Sequence, residues 1–127
     1  MLMNARTSGV VATDVELADT RRARRKGLLG RERLEPSAAL IILPCFAVHT
    51  ISMRFPIDVL FLNREGVIIR VVRNLRPGRI AGAWRAHAVV ELAAGAPGAR
   101  DIQCGDRLFL SAERAPAGAA VSWPITA

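Results

Sequence analysis

Alternating apolar and polar positions predict a series of short strands along this chain. The clearest runs from Ile57 to Leu62, where successive side chains point to opposite faces, and a β-branched run follows from Val67 to Val72. Between them lies Asn63-Arg64-Glu65-Gly66, which predicts a turn because Asn and Gly both tolerate positive φ. The two runs are therefore expected to form a β-hairpin.

The same reasoning places the other elements. Strands are predicted at Gly9–Ala18, at Ala38–Leu43 (wholly apolar, so buried on both faces), at Ala86–Leu92, at Arg107–Leu110 and, as a short edge, at Val121–Trp123. Asp19 or Thr20 is a suitable N-cap for a short helix through Lys26. The segments Asn74–Ala83 and Pro97–Gly105 contain Pro and Gly and are predicted to be loops.

These elements predict an α+β, mainly β, protein. We expect one compact domain over residues 1–127, with a curled or barrel-like, mostly antiparallel sheet, one short helix, and residues 115–127 irregular or forming an edge strand. A hydrophobic content of 51% in 127 residues is sufficient for a single core. We expect a monomer.

Length and composition also bear on where in the cell the protein is expected. No apolar run reaches the length of a membrane span, and the first residues, MLMNARTSG, lack the apolar core of a secretory signal. The sequence therefore predicts a cytoplasmic protein, in which Cys45 and Cys104 would be free thiols.

The net charge of +7 is concentrated in two stretches. Residues 19–35 carry seven basic and three acidic side chains, and five arginines but no acid lie between Gly66 and Val90. Such clusters could attract nucleic acid or an anionic surface. However, 17 of the 18 basic residues are Arg, aromatic residues make up 5% and Tyr is absent, so little is available to stack on bases. We therefore expect a solvated surface and no nucleic-acid partner, and we expect Trp84 to be partly buried.

Most of the chemically capable side chains occur between Pro44 and Gly66. Cys45 and His49 could form a nucleophilic pair in which the imidazole lowers the thiol pKa, or Cys45 could be a small buried apolar side chain. On a strand, residues four apart lie about 13 Å from each other, so Cys45, His49 and Met53 would not hold one metal ion without a turn. A zinc site would need Cys45, His49, His87 and Cys104 to converge, without the close ligand spacing typical of such sites. We predict no metal and no cofactor.

Three acidic residues are candidates for a polar site. Asp58 lies among apolar residues of a predicted strand, where an unpaired carboxylate would be costly, so loop amides, Thr50 or an arginine such as Arg54 or Arg70 should satisfy it. Alternatively, Asp58 lines a ligand pocket with His49, Thr50 and Glu91. Glu91 resembles Asp58, although its strand could turn it toward water, and Asp106, in a Gly-Asp turn, could reach the same pocket.

Taken in order, the motifs resemble a known family. GLLGRERL near Gly27, PC…HT..MRFPIDVLFL, an arginine-rich strand with NLRP, VVELAAG and CGDRL resemble the bacterial and archaeal family called domain of unknown function 192 over residues 18–109. The resemblance implies a small, mainly β fold and no established reaction. Its recurrent residues fall here on Gly27, His49, Thr50, Met53, Asp58, Glu91, Gly95, Gly105 and Asp106, whereas Asn63 replaces a frequent acid and Leu29 a frequent Met.

These residues favour a ligand- or partner-binding module. The polar side chains cluster without a complete catalytic set, so whether the chain is an enzyme is left open, with binding favoured. The predicted ligand-binding residues are His49, Thr50, Met53, Asp58, Glu91 and Asp106, and the ligand would be an unidentified small molecule or protein segment. The alternatives are a thiol-dependent enzyme that uses Cys45 and His49, or binding of nucleic acid or an anionic surface through the arginine clusters.

Overall fold

The computed structural model describes residues 1–114, which form ten strands and one α-helix. The strands are β1 (Leu2–Asn4), β2 (Gly9–Ala12), β3 (Asp14–Ala18), β4 (Ala38–Ile42), β5 (Ala47–His49), β6 (Ile57–Leu62), β7 (Ile68–Leu75), β8 (Ile80–Gly82), β9 (Ala88–Ala93) and β10 (Leu108–Leu110). Helix α1 spans Arg21–Lys26, and a 3-10 turn spans Pro97–Ala99. The predicted α+β, mainly β class is confirmed.

The strands form three sheets. The central sheet has the order β3-β4-β9-β6-β7, a second has the order β10-β1-β2, and β5 pairs with β8 alone. All pairs are antiparallel except β3 with β4. A bridge between Val67 and Arg107 connects the central sheet to the second, and β2 leads directly into β3, so the two sheets curl around one shared core.

The central sheet is buried on both faces. Strand β6 is buried along its whole length, and four of the five residues of β4 are buried, which explains their nearly continuous apolar sequences. One face of the sheet packs against the second sheet, with Leu60, Leu62, Val90 and Leu92 in that core. The other face packs Val59, Phe61 and Val89 under α1 and the β5–β8 pair.

Several predicted elements are confirmed. The β6–β7 hairpin forms as expected, with Asn63 Oδ1 accepting from the amides of Glu65 and Val67 in the turn. Helix α1 begins after Thr20, whose hydroxyl accepts a hydrogen bond from Ala23 N, and ends at Gly27. Its apolar content is low, so α1 is held by its cap and by the Leu28 side chain that follows it.

Other predictions differ from the structure. The single strand predicted at Gly9–Ala18 is two strands in different sheets, separated at Thr13, because the Thr13 and Asp14 amides both donate to Ser37 O. The loop predicted at Asn74–Ala83 contains the end of β7 and all of β8. Strands β1 and β5 were not predicted, since three residues are too few for a periodic pattern. The strand predicted at Val121–Trp123 lies outside the described residues.

No helix among residues 1–114 is long and apolar enough to cross a membrane.

Candidate functional site

A cavity of about 270 Å³ opens on the α1 side of the central sheet. Its walls come from the end of α1 and the segment after it, from β4 and β5, and from one residue of β9. The lining residues are Arg24, Arg25, Lys26, Gly27, Leu28, Leu29, Ile42, Pro44, Cys45, Ala47, Val48, His49, Met53 and Glu91. We call this space the Glu91 cavity. It is a mostly apolar space, with a basic helix end at one side and a few polar groups.

Glu91 is the buried polar group of the cavity. Its residue is 4% exposed, and across the sheet it lies opposite Leu40 on one side and Val59 on the other. Within residues 1–114 its carboxyl group has no hydrogen-bond partner and no salt bridge. Burial raises the pKa of Glu91 from its ordinary value of 4.5 to about 7, and the charge of Arg31 opposes that rise only in part. The carboxyl therefore holds its proton to a much higher pH than an exposed glutamate does.

Gly27 leaves open space beside that carboxyl. It has φ 47° and ψ −126°, a backbone conformation that favours glycine, and a β-carbon there would lie 3.9 Å from Glu91 Oε1 and 3.9 Å from Arg24 O. The Arg24 carbonyl accepts no hydrogen bond in the described part of the chain. Two acceptors without a donor therefore lie near the same side of Gly27.

Strand β5 forms the opposite wall. Phe46, Val48 and Thr50 pair with β8, since Phe46 O accepts from Ala83 N and Thr50 N donates to Arg79 O. In an antiparallel pair the intervening residues direct their amides away from the partner, so the backbone groups of Ala47 and His49 lie along the free edge of β5. His49 is exposed and Met53 is 7% exposed, and both line the cavity.

Cys45 also lines the cavity, but without an imidazole partner. Its Sγ donates to Ala47 O at 3.2 Å, and within the described residues no histidine side chain forms a hydrogen bond with that sulfur; His87 contacts Cys45 only through its backbone oxygen, which accepts from Cys45 N. Burial raises the pKa of the Cys45 thiol, more than the hydrogen bond to Ala47 O lowers it. His87 lies on the far side of Cys45, outside the Glu91 cavity, and burial lowers its pKa. Cys45 is therefore a thiol near neutral pH rather than a thiolate.

Thr50 is a structural residue of the β5–β8 pair. It is fully buried, and its hydroxyl donates to Arg76 O at 2.5 Å and accepts from Arg79 N at 2.9 Å. Its backbone oxygen also accepts from Gly78 N. Thr50 thus fixes the loop before β8 and does not line the Glu91 cavity.

Asp58 and Glu91 lie on opposite faces of the central sheet. In the register of β6 and β9, Val59 is opposite Glu91 and Asp58 is opposite Leu92, so the side-chain period of two separates the two carboxyls. Asp58 is 2% exposed, and its oxygens accept from Asn74 N at 2.8 Å and Gly95 N at 3.1 Å. Backbone amides at the end of β7 and just after β9 therefore satisfy Asp58, close to one of the predicted alternatives.

The arginine near Asp58 differs from the prediction. Arg73 Nη1 lies 3.7 Å from Asp58 Oδ2, whereas Thr50, Arg54 and Arg70 make no contact with the carboxylate in the described residues. Asn74 and Gly95 both have positive φ, so Asp58 accepts from two backbone amides in left-handed conformations where β7 and β9 end.

Asp106 forms a third, separate cluster. It is 3% exposed and accepts from Asn4 Nδ2 at 2.9 Å, Arg6 Nε at 2.6 Å and Gln103 N at 3.0 Å. The hydrogen bond from Arg6 holds the pKa of Asp106 at about 2. This cluster joins the first and last strands of the second sheet and is not part of the Glu91 cavity.

The cavity therefore contains three of the six predicted ligand-binding residues, His49, Met53 and Glu91, together with Cys45. The basic end of α1 was not predicted to belong to the site. Gly27, immediately after a run of five basic residues and Ala23, was the available signal, because a glycine that ends a helix allows close approach. Among residues 1–114 no group of three or more His, Cys, Asp or Glu side chains is arranged to hold a metal ion.

The chain belongs to the family DUF192, described as an uncharacterized ACR, which it matches over residues 3–110. This confirms the family resemblance of the sequence motifs and extends it at both ends. No curated protein matches the chain.

Two solved structures share the fold. One is a protein of unknown function from Novosphingobium aromaticivorans DSM 12444, with 25% identity, a TM-score of 0.67, and coverage of 74% of this chain and 72% of that one. The other, from Sinorhizobium meliloti 1021, is described as a "putative transcription regulator" and has 27% identity, a TM-score of 0.67, and coverage of 74% of this chain and 78% of that one. Both are similar in fold to this chain.

Proposed function

We propose that this protein is a non-catalytic binding domain whose small-molecule ligand occupies the Glu91 cavity. The observation that carries the proposal is the carboxyl of Glu91, which is 4% exposed and without a hydrogen-bond partner in residues 1–114. A buried polar group without a partner destabilises the folded state by about 1–3 kcal/mol. A ligand that donates a hydrogen bond to Glu91 removes that cost.

The lining of the cavity suggests the ligand's chemistry. Next to Gly27, Glu91 Oε1 and Arg24 O are both acceptors, so the inner end of the ligand should carry an amine or hydroxyl donor. Leu28, Ile42 and Met53 favour an apolar body. The basic residues of the α1 end, Arg24–Lys26, favour an anionic group at the outer end. A cavity of about 270 Å³ suits a metabolite-sized molecule with both groups, such as an amino acid or a hydroxy acid.

The state of Cys45 supports binding over thiol-dependent catalysis. A cysteine nucleophile needs a thiolate and a nearby base. Burial instead raises the pKa of the Cys45 thiol, and its hydrogen bond goes to Ala47 O rather than to His49 or His87. Cys45 then acts as part of the cavity wall.

A thermal-shift panel tests the proposal. The panel contains metabolite-sized compounds in four matched classes: alcohols, amines, carboxylates, and compounds that carry both an amine or hydroxyl and a carboxylate. A ligand at one hundred times its Kd stabilises the protein by about 2.7 kcal/mol, a shift of several degrees in Tm for a domain of this size. We expect the largest shifts from the fourth class.

Matched variants locate the binding. Glu91→Leu should abolish the shift, because it removes the acceptor, and Glu91→Gln should weaken binding about tenfold, because it removes the charge. Glu65→Gln, in the exposed turn of the β6–β7 hairpin, is the control and should bind like the original protein. A shift that survives in Glu91→Leu would assign the ligand to another site, and a panel without any shift would contradict the proposal.

A further inference from the structure

The β5–β8 pair exposes an unusual amount of apolar surface. Phe46, Ile51, Ile80 and Trp84 are 58%, 51%, 74% and 79% exposed, and they are four of the six large hydrophobic residues exposed in the described part of the chain. All four lie within residues 46–51 and 79–85, which the β5–β8 pairing joins. We call these two segments the apolar tip. The exposure of Trp84 corrects the expectation that it is partly buried.

The strand register explains why Ile80 protrudes. Val48 and Ala81 pair with each other and pack inward on the core, so their neighbours must point outward. Ile80, opposite His49, is one of these neighbours, whereas Trp84 lies in the turn after β8 that the hydrogen bond from Ala86 N to Ala83 O closes. With about three quarters of their surface free, Ile80 and Trp84 protrude from the β5–β8 pair.

Arginines surround the apolar tip. Arg85 stacks on the Trp84 ring at 4.8 Å from its centroid, Arg70 donates to Gly82 O, and Arg79 directly precedes Ile80. No acidic residue occurs between Gly66 and Val90, and Glu65, which lines the shallow depression beside Trp84, is accompanied there by Arg64. The surroundings of the tip are therefore strongly positive.

We propose that the apolar tip docks the protein onto an anionic lipid surface. Trp84, Ile80 and Phe46 would enter the interface between headgroups and acyl chains, while Arg70, Arg79 and Arg85 bind lipid phosphates. Protruding side chains suit a soft interface that closes around them, whereas a protein partner would need a matching cavity for each. Because β5 is also a wall of the Glu91 cavity, docking would bring the cavity beside the lipid surface.

Vesicle co-sedimentation tests the docking. We expect binding to phosphatidylcholine vesicles that contain one third phosphatidylglycerol, and little binding to pure phosphatidylcholine. The loss of one tip arginine, Arg79→Gln or Arg85→Gln, should weaken binding about fivefold, from a contribution of about 1 kcal/mol per basic residue near such a surface. The control Arg100→Gln removes an exposed charge close to the second sheet and should have no comparable effect.

A second pair of variants tests insertion of the apolar side chains. The double change Ile80→Ser and Trp84→Ser should weaken binding at least about tenfold, since a buried large apolar side chain contributes about 1.5–3 kcal/mol. Val10→Ser, at a 40% exposed position of β2, is the matched control. In a Trp123→Phe background, Trp84 becomes the sole tryptophan, and its fluorescence should shift to shorter wavelength on anionic vesicles.

Two results would overturn the proposal. The first is an absence of binding to anionic vesicles at low salt. The second is binding that the Ile80/Trp84 double change does not weaken and that poly-L-glutamate or a DNA duplex reproduces, because the arginines would then act as a general polyanion site. Either result leaves the ligand proposal for the Glu91 cavity unaffected.

Discussion

Replacing Glu91 with Gln should make the folded protein more stable above pH 7 and leave its stability nearly unchanged below pH 4.5. The carboxyl has a pKa of about 7 in the folded chain against 4.5 ordinarily, because it is 4% exposed and lies opposite Leu40 and Val59. Below 4.5 both states hold the proton. As the pH rises to 7, the unfolded chain loses it first, so folding stability falls by about 3 kcal/mol. A Gln side chain has nearly the same shape as Glu but does not titrate, so it does not lose stability in this pH range.

Urea unfolding of both proteins at about pH 5 and about pH 8 measures the effect. For each protein, the change in the free energy of unfolding between the two pH values is taken. Comparing this change between the two proteins isolates Glu91 from all other titrating groups, which both proteins share. We expect the stability advantage of Glu91→Gln over the original protein, measured as free energy of unfolding, to be about 2–3 kcal/mol larger at pH 8 than at pH 5. Glu65→Gln serves as the control, since an exposed carboxyl should give no such difference. Equal pH dependence in Glu91→Gln and the original protein would refute the assignment of a buried, unpartnered carboxyl. A stabilising substitution at this position also fits a residue retained for binding rather than for stability.

Three further predictions concern the other buried polar groups and the thiols. Thr50→Val removes the hydroxyl that bonds Arg76 O and Arg79 N and should cost about 2 kcal/mol in chemical denaturation, whereas Thr13→Val, whose hydroxyl makes only a 3.5 Å contact, should cost less than about 0.5 kcal/mol. Asp58→Asn places an amide group against a backbone N–H donor and should destabilise by about 2–4 kcal/mol, while ligand binding at the Glu91 cavity persists in the folded fraction. A neutral thiol reagent should label exposed Cys104 faster than half-buried Cys45; the reverse order would restore the nucleophile interpretation.

The sequence was sufficient for the elements whose signal is local. The β6–β7 hairpin follows from alternation and an Asn-to-Gly turn, the buried β4 from a continuous apolar run, and the start of α1 from the Thr20 cap. The demand of Asp58 for hydrogen bonds also follows from its apolar neighbours. In each case the residues that determine the outcome lie within a few positions of one another, so no knowledge of distant pairing is needed.

Tertiary structure decided the rest of the site. Within one strand, alternate side chains share a face, and this can be read from the sequence. Which side chains of two different strands share a face depends on how the strands are paired. The pairing of β6 with β9 places Asp58 and Glu91 on opposite faces. Strands β5 and β8 are three residues long and exist because they pair with each other, not because of local propensity. The Glu91 cavity joins the end of α1, β5 and β9, of which α1 and β9 lie about sixty residues apart along the chain. Only the fold brings their side chains together, since contacts between distant segments are set by the packing of the whole core.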